Sequence, residues 1–414
     1  SGQVPGSGDV AKFRVGACLG ANCNADMTAN VDVLGVDIES GFLGTITQNS
    51  GVTVRVREDG WVQAGGTFVG GDSEVRLGSL KINGGSYTAT SDFTRIVRGT
   101  EYIEVLRFET GASFTHNNGT LDIEYTGWRS NRDFDINLQQ DMDVYNLNYS
   151  MNTSDPAACM KFNLNLAGGF NVANDFRMQT YGTEGVVYPA SGEITIGGNL
   201  YADRAQNYCP SSADPHATLI FNNTSSDQEY SLPTGRCLTH VRVEKGATSL
   251  SPASGTTQFC SRDFTLVDGT FNSASGDARV NKLLIDGGTY NATSGTTLLN
   301  SPDHYVTVFR YLVGATFNHN NGLLDLRRSG NNYRYLDIDL AQDLNVYDLR
   351  YSVSSNAGGG VKWQHMNTGN IQVENDLWIE REGSNGTMEI DWVDLSVAGD
   401  IVADVGAASG AANL

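Results

Sequence analysis

Short stretches of strict apolar–polar alternation recur along the whole chain. Val52, Val54 and Val56 alternate with Thr53, Arg55 and Arg57, and Phe134, Ile136 and Leu138 with Asp133, Asp135 and Asn137. Phe162, Leu164 and Leu166 alternate with Asn163 and Asn165, and Leu336, Ile338 and Leu340 with Asp337 and Asp339. Met388, Ile390 and Trp392 alternate with Glu389 and Asp391. A period of two is that of a strand with one face inward and one in water. Gly and β-branched residues interrupt every stretch that approaches a helical period. The pattern predicts an all-β chain of many short strands.

These strands belong to a duplicated unit. Residues 82–91, Ile-Asn-Gly-Gly-Ser-Tyr-Thr-Ala-Thr-Ser, return as residues 285–294, Ile-Asp-Gly-Gly-Thr-Tyr-Asn-Ala-Thr-Ser, an offset of 203 from Gly84 to Gly287. Residues 114–119 match residues 317–322 at the same offset; residues 140–147 match 342–349 at 202, and residues 198–203 match 399–404 at 201. One unit of roughly 200 residues therefore occurs twice. The boundaries read as a Gly/Ser-rich segment at 1–12, a first repeat at 13–203, a junction at 204–216, a second repeat at 217–404 and a tail at 405–414. Inside each copy a shorter rhythm appears: Gly65-Gly66-Thr67-Phe68, Gly84-Gly85-Ser86-Tyr87 and Gly111-Ala112-Ser113-Phe114, then Gly269-Thr270-Phe271, Gly287-Gly288-Thr289-Tyr290 and Gly314-Ala315-Thr316-Phe317. A turn motif returning in register fits one coil of a β-solenoid, or parallel β-helix, in which each coil pairs with the next. Coils of about 20–25 residues rising about 4.8 Å each predict a rod of roughly 80–100 Å, with inward Asn residues forming ladders. The alternative is a pair of β-sandwich or jelly-roll domains, which gives no reason for a turn motif in register.

The pattern resembles the repetitive secreted β-solenoid proteins of bacterial surfaces and filaments, whose coils run from an apolar strand through Gly-Thr-Phe and an Asn-Asn-Gly turn into another strand. Phe317-Asn318-His319-Asn320-Asn321-Gly322-Leu323-Leu324 and Val346-Tyr347-Asp348-Leu349 carry the likeness, which covers most of residues 45–203 and 249–404. The resemblance implies an extracellular adhesin, surface layer or fibre and carries over no catalytic residue. No sorting motif, membrane barrel or anchoring domain identifies an export route.

Composition agrees with many turns and short strands: 48 Gly and 8 Pro among 414 residues, with 39% hydrophobic and 18% charged. The net charge of −20 repels nucleic-acid backbones and anionic membranes, so neither partner is expected. No stretch approaches the roughly 20 apolar residues of a membrane span. The first residues, Ser1-Gly2-Gln3-Val4-Pro5, lack the basic start and apolar run of a signal peptide. Cys18, Cys23, Cys159, Cys209, Cys237 and Cys260 contain no Cys-x-x-Cys and no nearby His cluster, which argues against zinc. An even number in an acidic, Asn/Ser/Thr-rich chain points to disulfides and a secreted or cell-surface location. Local pairing gives Cys18–Cys23, Cys159–Cys209 and Cys237–Cys260, with buried thiols as the alternative.

Candidate chemistry is sparse. Asp133, Asp135, Asp141, Asp143, Asp337, Asp339 and Asp343 are the residues on which Ca2+ would bind, and no other cofactor is expected. Alternation instead puts several of them on a solvated strand face. His116 and His319 occupy matching places and read as parts of a His-Asn-Asn-Gly turn rather than as catalytic groups. Glycosylation sequons begin at Asn118, Asn148, Asn152, Asn222, Asn223, Asn291 and Asn385. Trp61, Trp128, Trp363, Trp378 and Trp392 offer sugar-stacking rings, but are scattered as core residues would be. The leading expectation is an extracellular filament subunit that self-associates head to tail, or donates a terminal strand, into a homopolymer. It rests on the sequence from 403 through the tail, followed by a second copy's start, imitating the internal junction. The alternatives are an adhesin that binds glycans and a polysaccharide lyase or glycosidase on a β-helix, whose carboxylates would line one face.

Overall fold

The computed structural model describes residues 5–15, 23–99, 103–127, 132–153, 159–181, 186–203, 216–301, 305–329, 332–354, 360–382, 387–391 and 394–404. Among the described residues there is no helix, and the strands pair in parallel, which sets the sandwich reading aside. The fold is a β-solenoid of about 14 coils in all. The chain divides into two compact units, Ser1–Leu219 and Ile220–Leu414.

In unit 1 each coil presents three faces, as three strands or, where Val31–Ile38 and Val54–Gln63 run through a corner, as two. The coil that starts at strand Phe93–Arg98 continues through Ile103–Phe108 and Ser113–Thr115, and the next runs through Thr120–Tyr125, Arg132–Leu138 and Met142–Val144. The first face stacks Val75, Thr94, Leu121, Leu147, Phe176 and Leu200 in one column, so successive coils hold 19, 27, 26, 29 and 24 residues. In unit 2 the matching column is Ala278, Thr297, Leu324, Leu349, Leu377 and Ile401, with coils of 19, 27, 25, 28 and 24. Coil length is thus less uniform than the expected 20–25, and its series is the same in both units except for one residue in the third and in the fourth coil. The drift from 203 to 201 lies in two coils. One residue is dropped between Arg328 and Leu336, relative to Tyr125 and Phe134, and one between Tyr351 and Trp363, relative to Tyr149 and Phe162. Both fall at the corner between the first and second faces.

Alternation sorts side chains as expected. Phe134, Ile136 and Leu138 are fully buried, as are Leu336, Ile338 and Leu340. Leu166 departs from the pattern: it is 63% exposed, in a turn where its φ is 77°. The strand Cys159–Asn165 ends before it, so the alternation no longer applies. The Gly-Thr-Phe rhythm is a corner followed by one short strand whose middle residue points inward. Phe68, Tyr87 and Phe114 stack this way in unit 1, with ring centroids 4.8 and 5.8 Å apart. Phe271, Tyr290 and Phe317 stack at 5.3 and 5.7 Å in unit 2. Such ring pairs add about 0.5–1.5 kcal/mol each beyond area burial. The Asn ladder forms on the outer side: the Asn318 Nδ2 donates to Asn291 Oδ1, and the Asn291 Nδ2 to Asn272 Oδ1, each at 2.6 Å. The inward positions of these strands belong to the aromatic residues, which displaces the ladder expected inside to the outer surface.

The corners are fixed by backbone proximity. Gly85 has φ +75°, and a Cβ there would stand 2.4 Å from Gly66 O in the preceding coil. Gln140 Nε2 ties the previous coil's turn by donating to Glu109 O and Ala112 O at 3.2 and 2.9 Å, and Gln342 repeats this on Leu312 O and Ala315 O at 2.9 and 2.7 Å. Gly111 has φ +88° but nothing within 4 Å of its Cβ position. Gly111→Ala is therefore expected to cost about 1–2 kcal/mol from the left-handed backbone alone. Gly85→Ala adds a backbone collision and is expected to cost at least about 3 kcal/mol. Denaturant unfolding of both variants checks the difference; equal losses would remove the collision from the account.

Candidate functional site

Five of the acidic residues singled out for Ca2+, Asp135, Asp141, Asp143, Asp339 and Asp343, are acceptors for the next coil. Asp135 Oδ1 takes the Asn163 and Asn165 Nδ2 groups at 3.4 and 3.2 Å, and Asp143 Oδ1 takes the Asn171 Nδ2 at 2.9 Å. Asp141 and Asp343 cap corners, accepting the Gly169 and Asn370 N–H groups at 3.0 and 2.9 Å. Asp339 accepts the Asn367 amide, and Asp133 lies 4.0 Å from the Lys161 ammonium. Burial, then the neighbouring Asp339 charge, raises the Asp337 pKa. Among the described residues no three His, Cys, Asp or Glu side chains converge as a metal site would require.

The two histidines cap their own turns. His116 Nδ1 accepts the Asn118 N–H at 2.9 Å, and His319 Nδ1 the Asn321 N–H at 3.0 Å. The Asn pairs between each His and its Gly are left-handed, at φ 49° and 57° for Asn117 and Asn118 and 47° and 57° for Asn320 and Asn321. Cys237–Cys260 is a disulfide with Cα atoms 4.5 Å apart, alongside the Leu238–Ser261 pair of adjacent coils. Cys159 is also disulfide-bonded, and Cys23 is buried. Cys18 and Cys209 lie outside the described residues, and with them the Cys18–Cys23 and Cys159–Cys209 pairings. A disulfide is compatible with an oxidising compartment. No helix among the described residues is long and apolar enough to cross a membrane. Trp61 and Trp363 are fully buried in the core, Trp378 is half-buried, and Trp128 and Trp392 lie outside the described residues.

The side chains that do converge were not singled out from the sequence. On the outer side of the first face of unit 1, Asp32, Arg55, Arg76, Arg95, Asp122, Asn148 and Arg177 form one column in strand register. Arg95 bridges two carboxylates of the next coil, Asp122 at 3.1 Å and Glu124 at 3.8 Å, and reaches Glu74 at 3.6 Å. Ser150 donates its hydroxyl to Asp122 Oδ1 at 2.5 Å, and the Tyr181 hydroxyl donates to Asp122 Oδ2 at 3.4 Å. Although they point away from the core, Asp122 and Glu124 are only 0% and 4% exposed. Burial pushes the Asp122 pKa up to about 6, against the Ser150 hydrogen bond and the Arg95 charge. Burial, then the Asp122 charge, pushes Tyr181 up to about 12. In unit 2 the corresponding Asp325 and Ser352 keep their hydrogen bond at 3.0 Å, but the cations change: Arg350 of the following coil lies 2.6 Å away and Arg327 of the same strand 3.1 Å. Both arrangements lock neighbouring coils together through a desolvated carboxylate. The sequence signal was one Arg per coil at 55, 76 and 95, legible only once coil lengths of 21 and 19 residues are known.

The last described coil of unit 2 has a different surface. Strand Ile401–Asp404 is exposed throughout, with Ile401 61% and Val402 41% accessible, whereas in unit 1 Leu200 and Ala202, the counterparts of Ile401 and Ala403, are fully buried and Tyr201, the counterpart of Val402, is half-buried. Leu377, Ile379, Ile390, Leu395 and Ile401 line an apolar groove of about 620 Å³ there. Among the described residues this strand pairs along one edge only, with Leu377–Glu382. In unit 1, among the described residues, strand Val10–Phe13 likewise pairs along one edge, with Val31–Ile38. No protein family, no curated protein and no solved structure matches the chain.

Two outcomes follow from these placements. Since burial raises the folded Asp122 pKa from 3.8 to about 6, the folded chain holds that proton more tightly than the unfolded chain. The stability tied to it is present below pH 3.8 and is lost as pH rises through about 6. Asp122→Asn removes this loss, so the variant is expected to gain on the order of 2–3 kcal/mol relative to wild type between about pH 4 and pH 7. Paired melting curves at both pH values check it, and parallel curves would count against the burial account. Among the sequons, Asn118, Asn152 and Asn222 are exposed, Asn148 is 5% exposed, the Asn291 amide is held in the ladder, and Asn223 Oδ1 accepts the Ser225 and Ser226 N–H groups. Asn385 lies outside the described residues. Folded protein secreted from a glycosylating host is expected to carry glycans at Asn118, Asn152 or Asn222 and none at Asn148 or Asn291, as read by peptide mass mapping.

Proposed function

We propose that this chain is an extracellular structural protein whose copies associate end to end into a surface fibre. The observation that carries the reading is the exposed apolar strand at Ile401, whose counterpart Leu200 is fully buried in the other copy of the same unit, with Val402 exposed beside it. The same coil sequence is thus built to be covered, and its open strand edge is a template for another strand. The occupant we assign is the Val10–Phe13 coil of a second copy, which offers a strand paired on one edge and half-buried Val10, Ala11 and Phe13. Charge is complementary. Asp394, Asp400 and Asp404 lie on and before the Ile401–Asp404 strand, with Glu389 and Asp391 already paired to Lys362, whereas Lys12 lies on the Val10–Phe13 strand, with Asp9 before it and Arg14 after it paired to Glu39. A contact between two unlike surfaces is heterologous, and where its rotation does not close a ring it propagates into a filament. The disulfide agrees with an extracellular setting.

Negative-stain electron microscopy over a range of concentrations is expected to show linear assemblies of the wild-type chain. Ile401→Asp with Val402→Asp should leave single particles with an unchanged melting temperature. Single particles of wild type at every concentration would sink the reading.

A further inference from the structure

We propose that the first face of unit 1 carries a binding site for an oxyanion-bearing saccharide, carboxylated or sulfated. Arg55 and Arg76 are direct partners on adjacent strands, and Arg76 and Arg95 are partners in turn. Neighbouring strands lie about 4.8 Å apart, so three guanidinium side chains rise from three successive coils in one line. Like charges in this relation repel unless an anion lies between them. Arg95 has its anions in Asp122, Glu124 and Glu74. Arg57 is held by both oxygens of Asp32, each at 2.7 Å, and Arg98 donates to the Glu58 carbonyl oxygen at 2.8 Å. Arg55 and Arg76 make no hydrogen bond or ion pair with the described residues, and Asp32, the strand partner of Arg55, is already engaged by Arg57.

Arg55, Arg57, Arg76 and Arg98 line one groove of about 370 Å³. The scaffold does not demand them. In unit 2 the same column reads Cys260, Arg279 and Leu298, with Cys260 in the disulfide, and the coils pair equally well. The groove is a local cationic site on a chain of net charge −20, which repels a long polyphosphate backbone and leaves a short or sparsely charged anion as the better ligand. The guanidinium fork matches carboxylate and sulfate with two parallel hydrogen bonds. The volume exceeds that of a single oxyanion, and Glu58 and Ser7 at its margin add a carboxylate acceptor and a hydroxyl suited to sugar hydroxyls.

Calorimetric titration of the whole chain at low salt with a uronate disaccharide, a sulfated disaccharide, a neutral disaccharide and inorganic sulfate tests this. At least one charged disaccharide is expected to bind, and to weaken as salt rises, while the neutral one does not. Arg55→Gln with Arg76→Gln should lower that affinity by about tenfold or more, with melting unchanged, whereas Arg279→Gln should not alter it. The Ile401→Asp, Val402→Asp variant should bind as wild type does, which separates this site from the assembly surface. No binding of either charged disaccharide, or equal binding by the double arginine variant, would overturn the proposal. Inorganic sulfate binding as tightly as the disaccharides would overturn the saccharide assignment, and loss of self-association in the arginine variant would reassign the residues to an interface between copies.

Discussion

A coil's backbone groups find their partners only in the coils before and after it. That single requirement, imposed by parallel pairing, shapes most of what the chain displays. A side chain sits over the residue at the same place one coil earlier, so like residues accumulate in columns: Tyr87 on Phe68, Asn291 on Asn272, Arg76 on Arg55. Apolar and amide columns gain from this repetition, whereas a charged column does not. The outer face of unit 1 therefore alternates between neutralised stretches, as at Arg95 with Asp122, and a stretch whose arginines keep their charge. Among the described residues the exposed Ile401–Asp404 strand meets the pairing requirement along one edge only.

Much of the fold was legible because solenoid corners demand particular residues. A left-handed Gly against the preceding backbone, as at Gly85, and the Asn pair that follows His116 leave marks that survive in the order of the amino acids. Alternation around Phe134 and Leu336 reported the inward side correctly, because strand period alone sets it. Leu166 was misread because alternation says nothing about where a strand stops. The acidic residues were ambiguous for a deeper reason. Asp135 and Asp143 find their amide partners 28 residues away in the next coil, and that spacing varies from coil to coil. The arginine column was hidden likewise: Arg55, Arg76 and Arg95 become neighbours only after two unequal coils are closed.

The two units act as an internal control on which features the architecture requires. Asp122 and Asp325 both accept a serine hydroxyl from the next coil, and Gln140 and Gln342 both tie the preceding turn. These belong to the scaffold. The cation beside each aspartate comes from the preceding coil in one unit and the following coil in the other, so the pairing is kept while its chemistry is redistributed. Buried ion pairs contribute little net stability but penalise arrangements that separate them. Here they fix which coil follows which. The Arg55 place is taken in unit 2 by Cys260, whose disulfide to Cys237 ties adjacent coils, so the column serves the scaffold there and leaves Arg55 and Arg76 without a hydrogen bond or ion pair among the described residues in unit 1.

The series of coil lengths has a consequence for folding errors. A solenoid of identical coils can zip up one rung out of step and still satisfy its hydrogen bonds. Coils of 19, 27, 26, 29 and 24 residues cannot, because a shifted strand would meet a partner with the wrong span on either side. The protection fails in one circumstance. Because the second unit repeats nearly the same series, a half-formed unit from one chain fits the template of another chain's opposite half. Exchange of halves between nascent chains is the misassembly that this duplication leaves open, and crowding of many copies at one site of synthesis would favour it.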